Sequence, residues 1–418
     1  MNRWTEVDNQ LVNAEFYVGT GFHDVMRRLR HEDPVHWTKP DNAEHGFWSV
    51  TRYEDCLRMF DEPEHFSNRA GTHLQPDIRE LSDEERYKMG YDVQLVTMDP
   101  PEHAQLRRAI NPHFSMPSVN RLREECVRIV DELIANMAPL GRADAVDDLC
   151  ALLPVRLFLT MMGIPESDWE HVRTIALSGR QPEAAKFATE KLDHTGIIAE
   201  SFGRLYDYVA AHMESRRGKP GDDFASLLAN LKYHGEELSE RETGWLGFSV
   251  VAGGLETTRN AAAIGILELI RRPEQAALLQ DDKVAATAVE EVLRWSNPSK
   301  NKLRIATADI EVGGQHIKKG DWVVAWIVSA NRDETAFENP SEFNILRDPN
   351  PHLSLGRGEH HCLGRNVARL ELRVLLQRLF AVLPDLQVGG DFRWVASTNS
   401  TGLWNLPITF APRTPARL

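Results

Sequence analysis

The chain has 418 residues, with 48 Lys and Arg against 62 Asp and Glu for a formal net charge of -14, a balance that argues against a general nucleic-acid binder because phosphate binding needs a basic footprint. Four cysteines, Cys56, Cys126, Cys150 and Cys362, lie far apart with no CxxC pair, so neither a disulfide framework nor a zinc finger is indicated, and a reducing cytoplasm is the expected compartment. No signal-peptide core, spanning apolar stretch, repeat or low-complexity run is present, so a single soluble domain over residues 1–418 is expected, with no membrane insertion and no nucleic-acid partner.

Residues Phe22 to Arg30 carry a helical period, Gly46 to Thr51 alternates as a strand does, and a short helix is predicted around Tyr53 to Phe60. Phe66 to Val96 is charged and aperiodic, which predicts a long loop. In DPPEHAQLRRAINPHF, Asp99 is placed to cap a helix with Pro100 and Pro101 in its first turn. His103 and Arg107 then share a face at i and i+4, where they could clamp a carboxylate or simply face solvent. From Met116 to Arg217 the pattern is helical, broken near Gly141, at Gly163-Ile164-Pro165 and around Gly179 to Pro182. A turn at Lys219 to Asp222 leads to a short helix opened by Asp222.

Ser239-Glu240-Arg241-Glu242 reads as a capping box that opens the longest helix, which continues to Arg271-Arg272 before Pro273. Such a helix is about 45–50 Å long at 1.5 Å per residue and must cross the core. Its apolar middle contains Gly253-Gly254, each costing about 1 kcal/mol relative to Ala, so something is expected to approach the backbone there. Glu256 and Thr257 follow at once. They are expensive to bury without partners or purpose, although Thr257 could also bond back to the carbonyl one turn earlier. Further on, Glu291 and Arg294 share a face at i and i+3, a spacing that usually marks a surface pair. Strands are predicted from Arg304 through Val312 and from Ile317 to Val328, and Leu403 to Phe410 reads as a closing hairpin.

The stretch His352 to Arg373, HLSLGRGEHHCLGRNVARLELR, places Cys362 where a glycine-punctuated loop becomes a helix running to about Leu383. The unpaired N–H groups and positive end of that helix favour a thiolate and are expected to lower the thiol pKa. Gly356, Gly358 and Gly364 let the backbone approach a flat ligand, and His360 can point at an anionic group on it. A zinc hydrolase using Glu359-His360-His361-Cys362 is a poorer reading, since adjacent residues point in different directions and rarely chelate one metal.

This loop resembles the haem-binding loop of the cytochrome P450 family, with Leu355 where the family usually has Phe and His361 in place of a more usual apolar residue. DPPEHxxLRR, Gly253-Gly254-x-Glu256-Thr257-Thr258, the Glu291-x-x-Arg294 pair and Arg304 resemble further family motifs, in the family's order. The resemblance implies a mainly α fold with small β-sheets (α+β), with haem b between the long central helix and the Cys loop. Cys362 would be the axial iron ligand, His103, Arg107, Arg304 and His360 propionate contacts, and Gly253, Gly356 and Gly364 close approaches to the cofactor. Thr257 and Glu256 would assist O2 as co-substrate, and Glu291 and Arg294, completed by Arg347, would be structural. Ile175 to Met213 would form a lid.

The function so implied is a monooxygenase that inserts one oxygen atom of O2 into a C–H bond of a small, largely apolar substrate of terpenoid, steroid or polyketide-like kind. A haem-thiolate sensor without turnover is the alternative. Electrons would come from a ferredoxin-type donor with its own reductase, docking on the stripe Arg365, Arg369 and Arg373; a monomer is expected. Substrate contacts are expected at Ala252 and along Ser299-Lys300-Asn301-Lys302. Alternation sends Lys300 and Lys302 to one face and Ser299 and Asn301 to the other, so the pocket wall there is expected to be polar. That suggests a substrate bearing a carboxylate or several oxygen functions, unless both lysines face solvent or the propionates.

Overall fold

A computed structural model describes residues 3–414 apart from 42, 75–78, 80, 179–193, 220 and 234. The longest helix, Glu240–Ile270, forms where its capping box places it: Ser239 Oγ accepts from the Glu242 N–H at 3.2 Å, and the Glu242 carboxylate accepts from the Ser239 N–H at 2.8 Å. Two donors that a helix start leaves orphaned are thereby satisfied. Its 31 residues make a rod of about 46 Å. Helices Leu152–Met161, His194–Arg216, Asp282–Ser296 and Arg365–Val382 pack around it. Val251, Leu255, Ile264 and Leu267 of the rod belong to the main apolar core that these helices share.

Five strands form the main sheet in the order Val35–Thr38, Phe47–Val50, Trp322–Ala325, Lys302–Ala306, Phe66–Ser67. Lys302–Ala306 runs antiparallel to Trp322–Ala325, with Lys302 opposite Ala325 and Arg304 opposite Val323. The two-residue period puts Lys302 and Arg304 on one face of the sheet and Leu303 and Ile305 on the other, where both pack into a second apolar cluster with Tyr17, Phe22 and Trp326.

Several local expectations are corrected. Phe66 to Val96 is not one loop: Phe66–Ser67 pairs with the main sheet, and Asp83–Lys88 is a helix with its own capping box from Ser82 to Glu85. Asp99 does not cap the helix Glu102–Ile110, whose N-cap is Pro101. Its carboxylate instead accepts from Ser67 Oγ at 2.6 Å and the Asn68 N–H at 2.8 Å, tying the helix start to the sheet. Asp223, not Asp222, caps Phe224–Ala229. Leu403–Asn405 and Pro407–Thr409 do not form a hairpin, because only Leu406 separates them and a two-residue turn does not fit. The first joins Arg393–Trp394, and the second lies between Gln387–Val388 and Arg142–Asp144. Of the expected lid, residues 179–193 lie outside the described ones. Among the described residues no helix is long and apolar enough to cross a membrane.

Candidate active site

Gly356 and Gly358 adopt φ of +66° and +64°, the left-handed region that favours glycine, and a Cβ on Gly358 would come within 2.4 Å of the Phe60 carbonyl oxygen. The loop they shape is closed by the Cys362 N–H donating to the Leu355 carbonyl at 2.8 Å, and the helix Arg365–Val382 follows Gly364. Burial pushes the Cys362 thiol up, while the Gly364 N–H and the charges of Arg107, Lys302 and Arg365 pull it down without prevailing. The expected low thiol pKa is therefore not met by the protein alone, since desolvation outweighs the helix start. A cation against the sulfur, such as a coordinated metal ion, would favour the thiolate there.

Beside the loop, His103 is fully buried with neither ring nitrogen hydrogen-bonded, and its ring stacks on that of His360 at 3.8 Å. His360 Nε2 also lacks a partner. Burial and neighbouring cations hold His103 at about 4 and His360 at about 2, so both rings are neutral N–H donors near pH 7. Arg107 donates to the His361 carbonyl and, through Nε, to Asn111 Oδ1 at 2.7 Å. Arg304 is buried, and its one hydrogen bond among the described residues goes to the Leu303 carbonyl at 2.7 Å. Buried donors in this state call for an anionic acceptor that protein atoms do not supply.

The central helix changes character at its middle. Gly253 and Thr257, one turn apart, are exposed, their neighbours Ala252, Gly254 and Glu256 are half-buried, and Val251, Leu255 and Thr258 are buried. The two glycines differ in what they permit: a Cβ on Gly253 meets nothing within 4 Å, whereas one on Gly254 would meet the Phe158 ring at 2.3 Å. A phenyl ring thus makes the close approach at Gly254, and no protein atom makes one at Gly253. Thr257 Oγ1 donates to the Gly253 carbonyl at 3.1 Å, the back-bonded geometry, with its hydroxyl oxygen still on the open face.

The stretch before Arg304 departs from simple alternation because the strand begins only at Lys302. Lys300 is fully buried, and its Nζ donates to the carbonyls of Ser397, at 2.9 Å, and Ser400. Asn301 Nδ2 donates to the Thr398 carbonyl at 3.0 Å, and Ser299 pairs with Ser400 across an isolated β-bridge. Lys300 and Asn301 therefore clamp the 397–400 loop, and Lys300 faces neither solvent nor pocket. Lys302 alone remains half-buried, on the Arg304 face, with Nζ 3.2 Å from His73 Nε2. His73, in a stretch read as featureless loop, gave no signal in the sequence.

Within the helix Asp282–Ser296, Glu291 and Arg294 are completely buried and joined by two bonds of 2.8 Å. Arg347 Nε adds a third contact at 3.2 Å, so the three residues meet as anticipated. The expected arginine stripe is mostly neutralised instead: Arg369 forks onto Glu290 at 2.7 and 2.8 Å and Arg373 pairs with Asp282 at 2.7 Å. Arg365 does not pair in this way and joins Arg107 and Arg108 around a surface hollow of about 340 Å³, with His361 and Glu359 on its wall. Among the described residues no group of three or more His, Cys, Asp or Glu is arranged to hold a metal ion, which removes the zinc reading.

A buried thiol at a helix start, orphaned donors around it and an accessible strip on the central helix fit a flat, metal-bearing ligand with acidic edges. Comparison with known proteins agrees. The chain matches the sequence family described as Cytochrome P450 over residues 193–382. It is 31% identical over 408 residues to linalool 8-monooxygenase of Pseudomonas putida, covering 96% of this chain and 99% of that protein. The chain belongs to the cytochrome P450 family. Within this P450 family, a methyl-branched lipid omega-hydroxylase of Mycobacterium tuberculosis is 34% identical over 379 residues, covering 88% of this chain and 85% of its own. A Mycobacterium marinum P450, CYP268A2, solved with pseudoionone, superposes with a TM-score of 0.85 at 30% identity over 96% of this chain and 98% of that one. The protein is a cytochrome P450 monooxygenase with the family's mainly helical fold and small sheets.

Proposed function

We propose that this monooxygenase holds haem b through Cys362 and hydroxylates a small, branched, largely apolar molecule lying along Ala252, Gly253 and Thr257. Linalool and pseudoionone, named with two relatives, are both mostly hydrocarbon with one oxygen function. The observation that carries the reading is the accessible strip at Gly253 and Thr257 in the middle of an otherwise buried helix. His103, His360 and Arg304 supply the buried donors that propionates would accept from, with Arg107 beside them. Bound haem supplies the redox chemistry that couples O2 to a C–H bond.

The chain's own residues then have distinct tasks. The Thr257 hydroxyl, held by the Gly253 carbonyl, presents its oxygen to the open face and can donate there after a small rotation. Glu256, half-buried one residue earlier, is the acid we assign to pass a proton to that hydroxyl. Gly254 against Phe158 fixes the helix so that this face stays open. Electrons arrive from a ferredoxin-type partner whose acidic face meets the rim of the hollow at Arg108 and Arg365 rather than Arg369 and Arg373, which are already paired.

The test is a titration of haem-loaded protein with linalool, pseudoionone and testosterone, followed by NADPH-driven turnover with a surrogate ferredoxin and reductase. At least one ligand should shift the haem from low to high spin and give a hydroxylated product. Thr257→Ala should then consume NADPH while releasing mostly peroxide. Absence of both spin shift and product across the series would overturn the substrate reading, and unchanged coupling in Thr257→Ala would remove Thr257 from proton delivery.

A further inference from the structure

Building on Cys362 as the haem ligand and on a small, mainly apolar substrate, we propose that Lys302, backed by His73, is a carboxylate-binding subsite in the pocket. Lys302 shares a strand face with Arg304 and acts electrostatically on Cys362, so its side chain lies on the cofactor side of the main sheet. It keeps accessible surface, yet protein surrounds it closely enough to bring its amine down to about 8, with Arg304 adding to the effect of burial.

Among the described residues the ammonium has no carboxylate partner. Its hydrogen bond, 3.2 Å to His73 Nε2, requires a lone pair on that nitrogen and hence a neutral ring, whose Nδ1–H then donates to Thr72 Oγ1 at 2.8 Å. Ser299 Oγ, 2.7 Å from the same Nε2, completes the backing. No Asp or Glu among the described residues makes an ion pair with Lys302, and a desolvated ammonium whose one hydrogen bond there goes to an imidazole is costly unless a carboxylate arrives. Lys300 does not share this role, because its amine is spent on the Ser397 and Ser400 carbonyls.

A carboxylate could reach Lys302 from two sources, a haem propionate or an acidic substrate. His103, His360, Arg304 and Arg107 already supply donors for two propionates, which leaves the Lys302 charge over. That count favours a substrate that carries a carboxylate at one end and an apolar body at the other.

The experiment titrates the holoenzyme with citronellic acid and its methyl ester, read by the haem spin shift, for wild type, Lys302→Met and Lys302→Arg. The same proteins are assayed for haem midpoint potential and for the rate of haem loss to apomyoglobin. A substrate subsite predicts that wild type prefers the acid, that Lys302→Met weakens it tenfold or more while changing the ester less than twofold, and that Lys302→Arg restores most of the preference. A propionate subsite predicts equal binding of acid and ester throughout, with faster haem loss and a shifted potential in Lys302→Met that Lys302→Arg reverses. Acid preference, haem loss and potential all unchanged in Lys302→Met would overturn the subsite. Failure of the ester to bind wild type would count separately, against the small apolar substrate itself.

Discussion

Replacing each glycine of the Gly253-Gly254 pair with Ala should have opposite effects on stability. In a helix interior Gly→Ala gains about 1 kcal/mol from backbone propensity alone. At Gly253 a new methyl meets nothing within 4 Å, so the gain should be realised almost in full. At Gly254 the methyl would lie 2.3 Å from two atoms of the Phe158 ring and 2.9 Å from a third, and that ring is buried in the main core. Overpacking of this kind costs about 1–3 kcal/mol, and three close ring atoms put it at the upper end, for a net loss of about 2 kcal/mol. With an unfolding entropy of about 2.1 cal/mol/K per residue over 418 residues, 1 kcal/mol corresponds to about 1 °C. Melting temperatures of the two variants in haem-free form, measured side by side, should therefore differ by about 3 °C, with Gly253→Ala the higher. Because its methyl enters the open strip, Gly253→Ala should also alter the substrate-induced spin shift, which Gly254→Ala should leave nearly intact. Equal destabilisation by both, or a neutral Gly254→Ala, would refute the assignment of one glycine to packing and the other to the site.

Three further outcomes follow from buried charge. Glu291→Gln leaves the buried guanidinium of Arg294 without its carboxylate, a loss of about 3–5 kcal/mol, and should abolish recovery of folded haem-loaded protein; a denaturation midpoint near wild type would contradict this. Glu290 is held at about 2 against an ordinary 4.5; burial alone would raise it, but bonds to Arg369 and His352 overcome that. A depressed carboxyl stabilises the fold above its ordinary pKa and loses that contribution as pH falls, here by at most about 3 kcal/mol between pH 4.5 and 2. Glu290→Gln should accordingly flatten the fall in unfolding free energy over that window, and an unchanged slope would exclude the pair as a pH-dependent tie. Lys300→Met removes two bonds to the 397–400 loop and should speed amide exchange at residues 398–401 at a cost of about 1–3 kcal/mol; unaltered exchange would show that the loop holds its shape without it.

What was legible in the sequence were features that local chemistry fixes. Ser239 and Glu242 announce a helix start because their two reciprocal bonds are made within four residues, and the helix begins there. Glu291, Arg294 and Arg347 meet as anticipated, two of them through helical spacing and the third through family order. Contacts that depend on distant partners could not be read. Arg369 and Arg373 looked like a free cationic stripe because Glu290 and Asp282, some 80 and 90 positions earlier, are invisible to a local pattern. Lys300 looked like a pocket residue because the carbonyls that claim it lie about 100 positions away. The thiol of Cys362 was expected to be acidic from its place before a helix, and burial by the whole fold reverses that direction.

The most direct test of the central claim is the optical spectrum of reduced, carbon monoxide-treated holoenzyme, compared between wild type and Cys362→His. Thiolate ligation by Cys362 predicts a strongly red-shifted Soret band in wild type that is lost in the variant while haem stays bound. A wild-type band like that of a His-ligated globin in folded protein, or a red-shifted band that survives Cys362→His, would contradict the account.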